Sequence, residues 1–171
     1  GNIRTALFSW LFAKNTGGSF IVRIEDTDVA RKVDGALEAI LESLRWLNLD
    51  WDEGPEIGGE FGPYVQSERL TFYKAAAEEL LSKGHAYYCY CSPDRLRDMR
   101  DEQARLRISI GYDKKCMNLL PEELLNLEDS GIPKVIRFKY PEGGSTAFTD
   151  MIKGDVVFSN ETIDDFVLLK S

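Results

Sequence analysis

Phe20-Ile21-Val22-Arg23-Ile24-Glu25-Asp26-Thr27-Asp28 decides how this chain is read. The run from Phe20 to Ile24 is short and almost wholly apolar, which fits a strand of a parallel sheet covered on both faces. It delivers the carboxylates of Glu25, Asp26 and Asp28 to the point where a strand ends and a helix begins. In open α/β sheets that edge is where ligands bind. Three acids so close together repel one another. Their clustering points to a place that holds a cation, an amine or hydroxyls.

Helices flank this strand. Ile3, Leu7, Trp10 and Leu11 sit at helical spacing, and Asn15-Thr16-Gly17-Gly18 stops that helix. Beyond the acids, Val33, Leu37, Ile40, Leu41, Leu44 and Leu47 share one face at a 3.6-residue period. Thr27 or Asp28 is the natural N-cap of this second helix, and capping accounts for one of the two aspartates. Arg31, one turn on, is either an ordinary helix charge or part of a site. Glu25 has two readings: an ion pair with Arg23 or Arg31, or a charged acceptor for an ammonium group.

The stretch from Asp50 to Pro63 has no period and holds Gly54, Pro55, Gly58, Gly59, Gly62 and Pro63, so it reads as a long functional loop or a boundary. A second unit begins near Tyr64. Leu70, Tyr73, Ala77, Leu80 and Leu81 mark a helix ending at Lys83-Gly84. Ala86 to Tyr90 reads as a strand, and Ser92-Pro93 opens another helix. Val135 to Tyr140 alternates, and Pro141-Glu142-Gly143-Gly144 is turn chemistry, which predicts a hairpin with a strand around Thr146 to Phe148. Phe158 to Asn160 ends a further strand, and Phe166 to Leu169 is a last, buried one. Arg95 to Arg107 mixes five arginines with acids and reads as a solvated helix with internal ion pairs. Tyr87, Tyr88 and Tyr90 read as strand core.

The chain has 171 residues, 43% of them hydrophobic and 29% charged, which is ordinary for a soluble domain or two. No apolar run approaches a membrane span and nothing at the start resembles a signal peptide, so the cytoplasm is the expected compartment. A net charge of -8 argues against indiscriminate nucleic-acid binding but leaves room for a local basic face. Three cysteines make an odd count. Cys89 and Cys91 are too close in sequence to bridge one another, so reduced thiols or a metal site are expected. With Cys116 they offer three thiolates where zinc wants four ligands. Tyr112 and His85 are the open options for the fourth, and three reduced core thiols are the alternative.

The first helix starts at residue 1 with no strand ahead of it, and the last apolar strand stops at Lys170-Ser171. Both ends read as cut, so the chain is expected to be an internal piece of a longer enzyme. Gly1 and Asn2 would stand at a helix N-terminus, where an anion or a nucleotide phosphate is stabilised.

Several stretches taken together resemble one family. They are Arg4-Thr5-Ala6-Leu7-Phe8, Arg23 to Asp28, Leu44-Arg45-Trp46-Leu47, and Asp50-Trp51-Asp52-Glu53-Gly54-Pro55. The order continues with Tyr64-Val65-Gln66-Ser67-Glu68-Arg69, Gly84 to Cys91, Gly111-Tyr112-Asp113 with Cys116, and Asp164 to Ser171. In this collinear order they are similar to glutamyl-tRNA synthetases of the bacterial type. The resemblance implies an α/β fold: part of a Rossmann-like class I catalytic domain over residues 1–62, an inserted α+β acceptor-stem-binding domain over 63–163, and a return strand over 164–171. It implies ATP-dependent ligation of L-glutamate to tRNA(Glu) through glutamyl-adenylate, with Mg2+ accompanying ATP. By position, Glu25 looks like the reader of the glutamate amino group. Thr27, Asp28 and Arg31 look like tRNA contacts, and Gly1 and Asn2 like the tail of the ATP signature. Some family members have histidine where Asn118 stands here, which bears on the Zn2+ ligands. The catalytic histidines and the lysine-rich loop of the family would lie outside this chain, so no catalytic residue is expected within it. The alternatives are a paralogue that glutamylates a modified nucleoside of tRNA(Asp), a non-catalytic RNA-binding module, and a small-molecule nucleotidyltransferase.

Overall fold

The structure is a computed structural model that describes residues 2–27 and 35–170, and of Asn2 the backbone alone. The chain divides into two compact units, Gly1–Phe72 and Tyr73–Ser171.

The first unit opens with helix α1 (Asn2–Thr16). Gly17, at φ 68°, takes the left-handed turn that ends it, and the Gly18 N–H closes the turn on the Ala13 carbonyl at 2.9 Å. The face that packs inward is Ile3, Ala6 and Trp10, with Ala13 buried one turn on. Leu7 and Leu11 are exposed instead, because the buried ridge follows steps of three and four from Ile3 through Ala6. Helix α2 (Ala36–Trp46) buries Leu41 and Leu44. With Leu49 they form the core, and Val22, Leu37 and Trp51 pack against it. Gly35, at φ 76°, precedes α2 without a side-chain cap. The expected caps cannot be placed there: Asp28 lies outside the described residues, as do Arg31, Val33 and Gly1.

The expected strand at Phe20–Ile24 is an extended segment held by two isolated parallel bridges, Ile21 to Glu53 and Ile24 to Val65. The Asp52 and Val22 N–H groups bond Phe20 O (2.8 Å) and Glu53 O (3.0 Å). The Ile24 and Gln66 N–H groups bond Tyr64 O and Ile24 O, both at 2.8 Å. Successive even-numbered residues of an extended chain present their backbone to the same side. Both partners therefore lie along one edge of the segment. The chain leaves that edge after Glu53 and rejoins it at Tyr64. Burial on both faces is not met among the described residues. Phe20 is buried and Val22 and Ile24 are half-buried, but Ile21 is 40% exposed.

The excursion between is built around one carboxylate. Glu53 accepts from the Tyr64 hydroxyl at 2.5 Å and from the Phe61 N–H at 3.1 Å. Gly59, at φ 143°, passes so close that a Cβ there would stand 2.5 Å from the Glu53 side chain. A short 3-10 turn, Gln66–Arg69, leads into helix α3 (Leu70–Ser82).

In the second unit, strands β1 (Ala86–Cys89), β2 (Val135–Phe138) and β5 (Val167–Leu169) form an antiparallel sheet in the order β1-β2-β5. Ala77 of α3 packs on Ala86 and Ile136, with Leu80, Leu168 and Leu169 around them. Helix α4 (Pro93–Leu106) begins as its sequence predicts: the Ser92 side chain accepts from the Arg95 N–H at 3.2 Å and Pro93 occupies the first turn. Helix α5 (Pro121–Asp129) was not foreseen from the sequence. Its Glu123 carboxylate accepts from the Leu120 N–H at 2.8 Å.

The predicted hairpin is corrected. Strand β3 (Ser145–Asp150) pairs with β4 (Gly154–Ser159), in register from Ser145–Ser159 to Asp150–Gly154, and not with β2. The turn is Met151 to Lys153. It is held by Asp150, whose carboxylate accepts from the N–H groups of Ile152 (2.9 Å) and Lys153 (2.7 Å). The last strand is also less buried than expected, with Phe166 50% exposed and Val167 at the surface.

Candidate functional site

Two places gather chemistry, one in each unit. In the first, α1, α2 and the Phe20–Ile24 segment enclose an open groove of about 570 Å³. Ile3, Thr5, Ala6 and Ser9 of α1 line it, together with the charged pair Arg23 and Glu25. A largely apolar groove with a carboxylate in its lining suits a small ligand bearing a cationic group. In the structure as it stands Glu25 pairs with Arg23 at 2.9 Å, with the two side chains 67% and 49% exposed. An exposed pair of this kind contributes little stability. A ligand's ammonium group can therefore displace Arg23 at small cost.

Asp26 faces elsewhere. Its carboxylate accepts from the Ser67 N–H at 2.9 Å and from the Ser67 hydroxyl at 2.6 Å. Thr27 donates its hydroxyl to the Gln66 side-chain carbonyl at 3.4 Å. Asp26 thus caps the start of the 3-10 turn, 41 positions away. Gly1, Asp28 and Arg31 lie outside the described residues, and the Asn2 side chain with them.

The second place is the thiol cluster. Cys89 at the end of β1, Cys91 just beyond it and Cys116 bring their sulfurs within 4.8 Å of one another. Tyr112 completes the group. Its hydroxyl is 3.3 Å from Cys89 Sγ and 3.4 Å from Cys91 Sγ, and it accepts from the Cys116 N–H at 3.0 Å. Of the two candidates for a fourth ligand, Tyr112 sits in the cluster. His85 lies ahead of β1, and its carbonyl accepts from the Lys139 N–H at 2.8 Å. Asn118 is exposed.

The electrostatics of the cluster divide the thiols. Burial pushes Cys91 up to about 11, and its neighbours Cys116 and Cys89 add to the effect. Burial pushes Cys89 up as well, but the Tyr112 hydroxyl, the Cys91 N–H and the Arg137 guanidinium outweigh it, so its thiol falls below the ordinary value. Burial and three thiol neighbours raise the Tyr112 phenol. Four donors this close are mutually repulsive as anions, and a divalent cation among them removes the repulsion. The three thiols offer a divalent ion such as zinc three of its four ligands, and the Tyr112 hydroxyl, an uncommon donor, stands beside them.

Sequence reasoning missed what holds this cluster. Arg137 is 4% exposed and lies over the Tyr112 ring, 3.9 Å from its centroid. It donates to the Asp165 carbonyl at 2.6 Å. Asp165 is fully buried, and its carboxylate accepts from the Tyr87 hydroxyl at 2.7 Å and the Tyr140 N–H at 3.0 Å. Asp164 accepts from the Tyr112 N–H at 2.9 Å and so fixes the loop that carries the tyrosine. The one visible signal was the charged pair Asp164-Asp165 set against an apolar run. Of the α4 arginines, Arg97 pairs with Asp94 at 2.8 Å and Arg105 with Glu102 at 2.5 Å as expected, whereas Arg95 reaches out of the helix to Asp113 and to Cys91 Sγ, 3.4 Å away.

The chain belongs to the family of class I tRNA synthetases (E and Q), catalytic domain, which it matches over residues 1–171. Among curated relatives it is similar to the glutamate–tRNA ligases of Dehalococcoides mccartyi, 55% identical over 175 residues, and Moorella thermoacetica, 49% over 172. Each alignment covers 100% of this chain, and 34% and 35% of those proteins. The chain thus spans about a third of the length of the curated relatives it matches. It also superposes on a glutamate tRNA ligase from Elizabethkingia meningosepticum, solved in complex with its amino acid. The TM-score is 0.90 at 38% identity, covering 99% of this chain and 35% of that one. An α/β class I catalytic fold follows. Among the described residues no helix is long and apolar enough to cross a membrane.

Proposed function

We propose that the protein to which this chain belongs ligates L-glutamate to tRNA(Glu), using ATP with Mg2+ and passing through glutamyl-adenylate in the cytoplasm. The observation that carries this reading is the position of Glu25. It ends an extended segment and lines a groove, on a chain 55% identical over its whole length to the glutamate–tRNA ligase of Dehalococcoides mccartyi. An ammonium group is met by a charged acceptor, and a charge-assisted hydrogen bond is the stronger kind. Glu25 is that acceptor for the α-amino group of glutamate. Thr27, Asp28 and Arg31 contact the acceptor end of the tRNA, and Gly1 and Asn2 contribute to ATP binding. We read 1–62 as part of the catalytic domain and 63–163 as the inserted acceptor-binding domain. The stretch 164–171 leads back towards the catalytic domain after its strand Val167–Leu169 has paired with β2.

Cys89, Cys91, Cys116 and Tyr112 would hold Zn2+. The ion supplies a structural tie between the end of β1 and the 112–116 loop, with no part in the chemistry of ligation. Asp164 and Arg137 orient the tyrosine from behind, as outer partners of metal ligands do.

The test is Glu25→Ala in the full-length enzyme. The glutamate KM rises, or kcat/KM for glutamate falls, by ~10-fold or more, equivalent to ~1.4 kcal/mol. Unchanged steady-state kinetics would refute the role of Glu25. ATP–pyrophosphate exchange that ignores glutamate would refute the substrate.

A further inference from the structure

We propose that Asp26 is the positioning residue for Glu25. The inference rests on the reading of Glu25 as the acceptor of the substrate's ammonium group. Neighbouring residues of an extended chain point to opposite sides. Glu25 lines the groove, whereas Asp26 is half-buried against the Gln66–Arg69 turn. Each oxygen of Asp26 takes one donor from the same residue: Oδ1 from the Ser67 N–H at 2.9 Å and Oδ2 from the Ser67 hydroxyl at 2.6 Å. Both bonds are charge-assisted and together they fix the plane of the carboxylate.

The residues on either side of Glu25 are thus moored to one stretch of chain. Ile24 is held by two backbone bonds, to Tyr64 and Gln66, each 2.8 Å. Asp26 is held twice by Ser67. The Glu25 side chain has the exposed Arg23 beside it, which is a weak constraint on direction. Its aim is therefore set through its backbone, and Asp26 is the side chain that sets it. A misplacement of about 1 Å at a binding group can cost ~100-fold in rate, so this mooring belongs to the site and not only to the turn.

A simpler role is open to Asp26, that of a cap for the free N–H at the start of the 3-10 turn. Capping alone affects stability and leaves substrate affinity untouched, so kinetics separate the two. In the full-length enzyme Asp26→Ala raises the glutamate KM by ~10-fold, with the ATP KM within about twofold of wild type. Asp26→Asn still accepts the Ser67 N–H and can donate to its hydroxyl, so it restores most of the loss. Ser67→Ala shows a smaller rise, and the Asp26→Ala/Ser67→Ala double variant is no worse than Asp26→Ala alone. If Asp26→Ala does not fold, Ser67→Ala carries the test, with a raised glutamate KM. Asp26→Ala, or Ser67→Ala in its place, that lowers Tm while keeping the glutamate KM within about twofold of wild type would overturn the proposal. Glu25→Gln run in parallel assigns the failure. If it raises the glutamate KM and the Asp26 variants do not, the positioning role alone falls. If it too leaves KM unmoved, the reading of Glu25 falls and this inference with it.

Discussion

The guanidinium of Arg137 lies 3.9 Å above the ring of Tyr112, in a place where only 4% of the arginine is exposed. A buried cation is costly unless its charge is answered. Here the answer comes from the ring face, the Asp165 carbonyl and the Cys89 thiol, whose proton Arg137 helps to loosen.

Arg137→Met keeps the stem and removes the charge. It leaves the Asp165 carbonyl without its donor and Tyr112 without its cover. We expect a loss of about 2–4 kcal/mol in urea unfolding of the full-length protein. A loss within the ~0.5 kcal/mol of an ordinary surface change would mean that the stacked cation is not a structural centre.

Metal content tests the thiol cluster. Purified full-length protein should carry about one zinc per chain by mass spectrometry, and Cys91→Ala or Cys116→Ala should carry under about a fifth of that. Tyr112→Phe removes one oxygen ligand and should weaken zinc retention by ~10-fold or more, at least what an outer partner contributes. Full zinc retention in Tyr112→Phe would remove the tyrosine from the ligand set.

The Glu53 loop should fail on the acid side. The Tyr64 hydroxyl, and then the Phe61 N–H, hold the Glu53 carboxyl below its ordinary value of 4.5. A depressed folded-state pKa stabilises the fold above the unfolded value, and the gain is lost as pH falls through the folded one. Tm measured against pH should therefore drop more steeply below about pH 4.5 in the parent than in Glu53→Gln or Tyr64→Phe. Parallel acid limbs in all three would exclude this carboxylate as a source of the slope.

Tyr87→Phe tests the buried acid. Its hydroxyl is one of the donors to Asp165, and burial, with Asp165 close behind, raises the phenol above its ordinary value. Without it, Asp165 keeps the Tyr140 N–H and a distant Lys114 at 4.0 Å. The expected loss is about 1–3 kcal/mol, read from urea unfolding.

What could be read in advance was local. Gly17, Gly84 and the Ser92-Pro93 pair announce helix ends through chemistry confined to one turn, and each stands where expected. The crowding of acids at the end of Phe20–Ile24 was legible because it lies within six residues. Partnership was not. Alternation in Val135 to Tyr140 says that a strand exists, not which strand lies beside it. The turn signal that did make a hairpin, Asp150 with Gly154 at φ 73°, was passed over for the stronger-looking Pro141 to Gly144. Asp26 with Ser67, and Tyr87 with Asp165, are 41 and 78 positions apart. No periodicity links residues at such distances. Helix α5 lacked a buried face to give it a period.

The detour between Glu53 and Tyr64 has a consequence for variation. Both of its feet stand on the same edge of Phe20–Ile24, so the alignment of Ile24 with Val65 does not depend on how many residues travel between them. The closing entropy of such a loop changes slowly with its length. The Gly54–Gly58 bridge and the close pass of Gly59 over Glu53 fix the length of its tip, so a residue gained or lost near Ile57 would disturb the Glu53 carboxylate and leave the pairing of Ile24 with Val65 in place.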